Sequence, residues 1–171
     1  MTSAALAARR SHTIVDSPIG PLTLVAAGPD LAGVYLSEHR HAPAPEVFGA
    51  RDPGPLAEAA RQLGEYFAGG RTEFTLELTL DGTAFQQRVW TQLQAISYGQ
   101  TISYGELARR IGQPAASRAV GLANGRNPVS IIVPCHRVVG ADGRLTGYGG
   151  GLARKQYLLG LEQRVSGRII V

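Results

Sequence analysis

The chain of 171 residues has a single cysteine, Cys135, and lacks any apolar run near the roughly 20 residues that a membrane-spanning helix needs. One cysteine cannot form an internal disulfide, and it cannot build a cysteine metal cluster within the chain. A lone thiol is typical of a reducing compartment, so we expect a cytoplasmic protein. The N-terminal stretch MTSAALAARR has its arginines after a short apolar segment, the reverse of a secretory signal, and is expected to be a frayed tail.

Charge is distributed unevenly, although the net charge of the whole chain is only +4. Residues 1–82 carry six arginines and ten acidic residues, for −4, whereas residues 83–171 carry ten arginines, one lysine and three acidic residues, for +8. A basic half favours an anionic partner, most commonly nucleic acid. A basic surface without a partner is the alternative, and charge alone does not separate the two.

The first half has the pattern of a small α/β unit. Three short apolar runs, HTIVDSP, GPLTLVAAG and LAGVYLS, are separated by turn formers and predict three strands. A helix is predicted over residues 55–70, and alternating apolar residues predict a half-buried strand over residues 73–80. No catalytic constellation is evident in this half. His39 and His41 are interpreted as part of a solvated loop rather than a metal site.

The second half opens with three predicted helices. Thr83 and Gln86 form the pattern of a capping box before a helix that ends near residue 96. Ser103 and Glu106 begin a second helix, and a third begins near Pro114. Two helices joined by a short turn with glycine are the helix-turn-helix pattern, although helical hairpins of this length also occur in proteins that do not bind DNA.

The third of these helices has an almost bare surface. Most of its side chains are alanine and glycine, including Ala119 and Ala123, and Arg118 is the one long side chain on the smooth face. Such a helix can pack tightly inside a protein. It can also approach the minor groove of DNA, which is about half as wide as the major groove.

The only cysteine lies in IIVPCHRVVG, after a short apolar run that predicts an extended buried segment. An inert, buried cysteine is the commoner interpretation of a lone thiol. His136 and Arg137 favour a reactive one, because cationic neighbours lower the pKa of a thiol. Neighbouring side chains of an extended segment point to opposite sides, so a link between Cys135 and His136 would need a turn or a bridging water.

A glycine-rich loop and a final helix complete the second half. The loop GADGRLTGYGGG contains Tyr148 but lacks the lysine and serine of a phosphate-binding loop, so it does not predict a nucleoside triphosphate site. Its glycines allow backbone amides to approach a flat ligand. Glu162 lies near the end of the final helix, where an acid is mildly unfavourable for the helix dipole. It is either a surface residue or one that orients a histidine.

Together these motifs resemble the DNA alkyltransferases that repair O6-alkylguanine, the methylated-DNA–protein-cysteine methyltransferases. The resemblance is carried by FQQRVW, ISYGQTISYGELA, SRAVGLANGRNP, IIVPCHRVVGADGRLTGYGGGLARKQYLL and Glu162. It is close over about residues 83–162 and loose over the first half. It implies an α/β (α+β) fold, in which a small sheet-plus-helix, ribonuclease H-like domain (1–82) precedes a winged helix-turn-helix domain (83–171).

The resemblance also implies roles for individual residues. The nucleophile falls on Cys135, its water-linked histidine base on His136, and the glutamate that orients the histidine on Glu162. The remaining assignments are Tyr104 as the donor to guanine N3, Arg118 as the replacement for the extruded base, Asn127 as a hinge, Arg126, Ala119 and Ala123 as further DNA-binding residues, and Tyr148, Gly149, Gly150 and Val138 as the pocket. Relatives that bind zinc use N-terminal cysteines, which this chain lacks, so no metal and no cofactor are expected.

The implied function is DNA repair by stoichiometric alkyl transfer to Cys135 from O6-alkylguanine, with O4-alkylthymine as a further candidate substrate. The thioether product resists hydrolysis, so each molecule acts once. The expected partner is double-stranded DNA, bound through the minor groove with the damaged base flipped out. We expect a monomer, with cooperative DNA binding left open, and no membrane association. A DNA module without catalysis and a cysteine hydrolase are the alternatives, but lesion-sensing relatives lack the cysteine and papain-like hydrolases have a distant histidine.

Overall fold

Four strands form a mixed sheet: β1 (Arg10–Val15), β2 (Leu22–Ala27), β3 (Asp30–Leu36) and β4 (Ala50–Arg51). Their order across the sheet is β3-β2-β1-β4, in which β1, β2 and β3 are antiparallel neighbours and β4 runs parallel to β1. The three predicted strands are confirmed. This computed structural model describes residues 9–167, so most of the stretch predicted to be a frayed tail lies outside the described residues.

The predicted helix of the first half is α1 (Ala57–Phe67), whose buried face joins the same core as the sheet. The strand predicted over residues 73–80 is wrong, because this segment makes only an isolated bridge, between Leu78 and Leu31. Its backbone is partly satisfied by a side chain instead: Thr75 N donates to Gln62 Oε1 (2.9 Å), and Gln62 Nε2 donates to Thr75 O (3.3 Å). Its apolar residues are nevertheless half-buried, as their alternation predicts.

The second half contains α2 (Ala84–Gln94), α3 (Tyr104–Arg110), α4 (Ser117–Gly125) and α5 (Leu152–Ser166), with β5 (Ile102–Ser103) parallel to β6 (Val138–Val139). The capping box of Thr83 and Gln86 is confirmed, since both of its hydrogen bonds form. Helices α3 and α4 are the predicted helix pair, although α4 begins at Ser117 rather than near Pro114. None of the helices within residues 9–167 is long and apolar enough to span a membrane.

The segment before the cysteine is not extended, contrary to the prediction. It folds into consecutive turns in which Ile131 adopts a φ of +75° and Val133 N donates to Val129 O (3.0 Å). Asn127 holds these turns from inside, because its Nδ2 donates to Val133 O (2.7 Å) and its Oδ1 accepts from Val129 N (3.0 Å). Cys135–Arg137 then form a 3-10 turn, which places three neighbouring side chains around one turn rather than on alternate sides.

Two contacts between the halves lie close to this turn. Val34 of β3 forms an isolated parallel bridge with Val129, and the side chain of Tyr66 in α1 reaches α5. The mixed α/β class predicted from the sequence is confirmed, whereas the domain boundary between residues 82 and 83 stays a prediction.

Candidate active site

Cys135 begins the 3-10 turn and is buried, with 7% of its surface exposed. Its carbonyl accepts a long hydrogen bond from Asn124 Nδ2 (3.4 Å) of α4. Burial raises the pKa of the Cys135 thiol above its ordinary value, while the polar side chains of Asn127 and Ser130 and the charge of Lys155 offset part of this rise. A thiol in this site therefore needs a base to become a nucleophile.

His136, the next residue, lies fully buried and is turned toward α5. Its Nε2 is 2.7 Å from Glu162 Oε2, and its Nδ1 has no hydrogen-bond partner among the described residues. Burial lowers the pKa of His136 despite the opposing effect of the Glu162 carboxylate. The imidazole is therefore neutral near pH 7, with one nitrogen held by the glutamate and the other able to accept a proton.

Glu162 is the centre of a buried hydrogen-bond cluster. Besides His136, it accepts hydrogen bonds from Arg137 Nε (2.7 Å, Oε1) and Nη2 (3.1 Å, Oε2), Tyr66 Oη (2.6 Å, Oε2) and the Gly99 amide (3.3 Å, Oε1). Burial would raise the pKa of Glu162, but His136 and Arg137 lower it well below its usual range. Of the two interpretations left open by the sequence, the structure excludes a surface glutamate.

Arg137, the arginine close to Cys135 in sequence, does not act on the thiol as expected. Arg137 is committed to Glu162 and to the Ile96 carbonyl (Nη1 to O, 2.7 Å), so it does not serve the thiol. The positive charge that favours the Cys135 thiolate comes instead from Lys155 of α5. This contribution was missed, because a lysine twenty residues downstream carries no local sequence signal.

Lys155 is buried without a carboxylate partner among the described residues. Its Nζ donates to the carbonyls of Val138 (2.6 Å), Thr146 (2.8 Å) and Gly147 (3.3 Å). Burial lowers the pKa of Lys155 to about 8. One ammonium group thus joins β6, which follows the cysteine, to the glycine-rich loop.

A small cavity of about 120 Å³ lies between α4 and the glycine-rich loop. Tyr104, at the start of α3, lines it and donates through its hydroxyl to Thr146 O (3.1 Å). Asn124, Tyr148 and Gly149 also line it, and the Asn124 Oδ1 and Tyr148 hydroxyl are buried without hydrogen-bond partners among the described residues. A larger cavity of about 560 Å³ shares no lining residue with this one. The smaller cavity, which two of the four predicted pocket residues line, is the candidate site for a base.

Only some of the predicted pocket residues line the cavity. Tyr148 and Gly149 line the cavity, whereas Gly150 and Val138 do not; Val138 is fully buried and contributes a carbonyl that accepts from Lys155. A Cβ on Gly150 would lie 2.8 Å from the Tyr148 ring, so glycine there allows the ring to fold against the loop.

The first half of the chain also covers the pocket, which sequence analysis missed. Arg40 and His41 line the cavity, and Arg40 N donates to Gly149 O (2.7 Å). A Cβ on Gly149 would come within 2.7 Å of the His39 ring, so glycine permits this close approach. The histidines therefore lie in a loop, as predicted, but His39 is packed rather than solvated, and burial lowers its pKa to about 4. Within residues 9–167, no three His, Cys, Asp or Glu side chains gather as metal ligands.

Helix α4 presents part of its predicted DNA-binding face to solvent. Arg118, Ala119 and Arg126 are exposed. Ala123 and Asn127, by contrast, are only 4% and 3% exposed, so their side chains are buried in the free protein, and their assignment to DNA binding stays a prediction. Ala123 packs inward, and its carbonyl accepts from Trp90 Nε1 (2.9 Å) of α2. Asn127 occupies the hinge position, where it holds the turns before Cys135.

Leu122 was not singled out by the sequence, yet it is 69% exposed on the same helix and lines the pocket. An exposed leucine beside Arg118 adds an apolar side chain to the face that the small residues leave flat.

Comparison with known proteins places both halves in one family. The model of the 6-O-methylguanine DNA methyltransferase DNA binding domain matches residues 84–164, and that of the ribonuclease-like domain of the same enzyme matches residues 11–80. These matches confirm the predicted ribonuclease-like and DNA-binding units, while the exact boundary between them stays a prediction.

Individual relatives align over nearly the whole chain. The methylated-DNA–protein-cysteine methyltransferase of Mycolicibacterium paratuberculosis is 57% identical over 155 residues, covering 91% of this chain and 93% of the relative. That of Methanosarcina acetivorans is 48% identical over 152 residues, covering 88% and 97%. The crystal structure of Mycobacterium tuberculosis OGT in complex with DNA matches with a TM-score of 0.85 at 54% identity, covering 91% of this chain and 94% of that one. Both family models match, and the relatives are about half identical or more over nearly their whole length. The chain therefore belongs to the 6-O-methylguanine DNA methyltransferase family.

Proposed function

We propose that the protein repairs DNA by transferring the alkyl group of O6-alkylguanine to Cys135, once per molecule. The observation that carries this proposal is the buried Cys135–His136 turn with Glu162 held at 2.7 Å behind the histidine. A thioether cannot be hydrolysed by an activated water as a thioester can, so the reaction ends with an inactivated protein. O4-alkylthymine is a further candidate substrate.

The transfer is a direct displacement at the alkyl carbon. The Cys135 sulfur forms a bond to this carbon, the carbon–O6 bond breaks, and its electron pair remains on the guanine. His136 Nδ1 accepts the thiol proton through a bridging water, while Glu162 stabilises the imidazolium. The leaving guanine takes up one proton, which balances the one that the thiol releases.

Two groups lower the cost of the charges that develop. The charge of the Lys155 ammonium lowers the pKa of the Cys135 thiol and so favours the thiolate. Tyr104 lines the pocket, and its hydroxyl turns its single proton from the Thr146 carbonyl to N3 of the leaving guanine. Burial raises the pKa of Tyr104, so its hydroxyl keeps its proton and stays a donor at neutral pH.

Access to O6 requires the damaged nucleotide to leave the duplex, which costs a few kcal/mol of stacking and pairing. The exposed face of α4, with Arg118 and Ala119, enters the minor groove, and Arg118 fills the gap left in the stack. We place the reaction in the cytoplasm, because Cys135 must remain a reduced thiol to act.

The test is intact-protein mass spectrometry after mixing the protein with a duplex that contains O6-methylguanine. The protein should gain the mass of one methyl group in place of one hydrogen, with a yield that never exceeds one per molecule. Repeated turnover with free product would indicate a hydrolase, and tight binding without any mass change would indicate a lesion sensor.

Replacing Arg118 with alanine should slow transfer much more for a lesion in a fully paired duplex than for the same lesion in single-stranded DNA. The gap that Arg118 fills exists only in a duplex, so the difference in transfer free energy should be on the order of 1–3 kcal/mol, a share of the unstacking cost. The measurement is the single-turnover rate at subsaturating DNA for both substrates.

Arg126→Ala is the matched control, because Arg126 is an exposed arginine at the other end of α4. A phosphate contact should weaken both substrates by a similar factor. If Arg118→Ala also loses the same factor on both substrates, Arg118 is a phosphate contact and the base is extruded without it.

A further inference from the structure

One side chain from the first half reaches the carboxylate of the active site. Tyr66 of α1 is fully buried, and its hydroxyl donates to Glu162 Oε2 over 2.6 Å. The same oxygen lies 2.7 Å from His136 Nε2. The catalytic histidine and a residue 70 positions earlier in the chain therefore share one acceptor atom.

The core of the first half fixes the position of Tyr66. Its ring meets Phe67 edge-on at a centroid distance of 5.3 Å, and it also packs against Phe74 (5.6 Å) and Tyr98 (6.1 Å). It lies on the buried face of α1 together with Ala59 and Leu63. Because the backbone of a helix and a packed ring leave the hydroxyl little freedom, the direction from which it approaches Glu162 is set.

We propose that Tyr66 is a positioning residue for the transfer reaction, which orients the Glu162 carboxylate and through it the His136 imidazole. The inference rests on the proposed function. Three donors converge on Oε2, namely Tyr66 Oη, Arg137 Nη2 and His136 Nε2, while Arg137 Nε also donates to Oε1. Tyr66 and Arg137 together therefore hold the carboxylate in one orientation, and this orientation sets the position of the oxygen that the imidazole meets. The ribonuclease-like half thus completes the machinery that the DNA-binding half carries.

The hydroxyl of Tyr66 stays a donor at every pH at which the protein works. Burial, with the charge of Glu162, keeps the pKa of Tyr66 well above its ordinary value. Donation to Oε2 withdraws electron density from the oxygen that stabilises the imidazolium, so it makes His136 a weaker base than Glu162 alone would. Removal of the hydroxyl should therefore raise the pKa of His136.

Other titratable and charged groups also face this pair, from the 3-10 turn, from α5 and from the segment between α2 and β5. These groups are Arg137, Lys155 and Tyr98, together with Tyr148 from the glycine-rich loop. All of them are retained when only the Tyr66 hydroxyl is removed, so a change in His136 can be assigned to that hydroxyl.

The chain offers a matched pair of variants, Tyr66→Phe and Tyr98→Phe. Tyr98 packs beside Tyr66 and under the Arg137 guanidinium (5.6 Å to the ring centroid), but its buried hydroxyl has no hydrogen-bond partner among the described residues. Tyr66→Phe should lower the single-turnover methyl-transfer rate at saturating duplex by roughly three- to tenfold, the net scale of one ordinary hydrogen bond, because Glu162 keeps its other donors. DNA affinity should be unchanged, and Tyr98→Phe should stay within about twofold of the wild type.

The second readout follows His136 directly and needs no DNA. Titration of the histidine rings by NMR should give a His136 pKa higher in Tyr66→Phe by roughly half a unit, and unchanged in Tyr98→Phe. A Tyr66 that only packs would leave this pKa where it is, so equal His136 pKa values in the two variants would overturn the proposal. A wild-type protein that does not transfer methyl would refute the proposed function, and the His136 titration would still decide the role of Tyr66.

Discussion

Replacing Cys135 with serine is expected to abolish methyl transfer while leaving binding to an O6-methylguanine duplex intact. A hydroxyl keeps the size and burial of the thiol but is a far weaker nucleophile, so transfer should fall by at least roughly a thousandfold. Cys135 is the only thiol in the chain, so peptide mapping of the wild-type product should find the added methyl there. The measurement is the mass of the intact protein after mixing with excess lesion duplex.

Cys135→Ala serves as the control that also removes the hydroxyl. Both variants should bind the lesion with wild-type affinity, because the exposed face of α4 and the lining of the pocket are unchanged. A methyl group that still appears on either variant would put the acceptor elsewhere and end the role assigned to Cys135.

Glu162→Gln should slow transfer by at least about tenfold, since a positioned acid–base group contributes roughly 100- to 10,000-fold and its orienting partner supports part of this. It should also lower the free energy of unfolding by about 3–5 kcal/mol at pH 7, because an uncompensated buried Arg137 cation remains. Stopped-flow transfer assays and denaturant titrations measure the two effects. Glu58→Gln, in an exposed helical ion pair, is the control and should change little.

The pH dependence of this loss follows from the lowered pKa of Glu162. A carboxyl whose pKa is depressed by folding stabilises the protein above its unfolded pKa of about 4.3, and this stabilisation is lost as the pH falls toward the folded value. The difference in stability between wild type and Glu162→Gln should therefore be largest at neutral pH and shrink below about pH 4. A difference that stays constant into acid would show that the charge of Glu162 is not what stabilises the fold.

The sequence predicted the site best where the chemistry is local. Cys135 and His136 stand in one motif, whereas Glu162 could be assigned only through the resemblance, because its unfavourable place near the end of its helix left a surface acid equally open. The turns that replace the expected extended segment depend on Asn127, whose side chain takes up backbone groups that a strand would have used. A local apolar pattern predicts burial, but it cannot reveal which side chain will satisfy the backbone.

The contacts that the sequence did not predict join residues far apart in the chain or on different elements. Three side chains reach the site from three different helices: those of Tyr66, Lys155 and Asn124. In the sequence alone, each has the appearance of an ordinary helical residue. The wrong strand over residues 73–80 has the same origin, because Gln62 of α1 bonds the Thr75 backbone. Only the Tyr66 contact joins the two halves, but all four contacts link residues that lie on different elements, so none of them has a local sequence signal.

The burial of Lys155 has a practical consequence, since it is the only lysine in the sequence. The folded chain hides its sole side-chain amine beneath three loop and strand carbonyls, so reagents that acylate primary amines can reach it only when the glycine-rich loop lifts away. The rate of acylation at Lys155 therefore reports how often the pocket opens locally. Acylation rates of the free, DNA-bound and methylated forms would show at which stage of the reaction the glycine-rich loop opens most often.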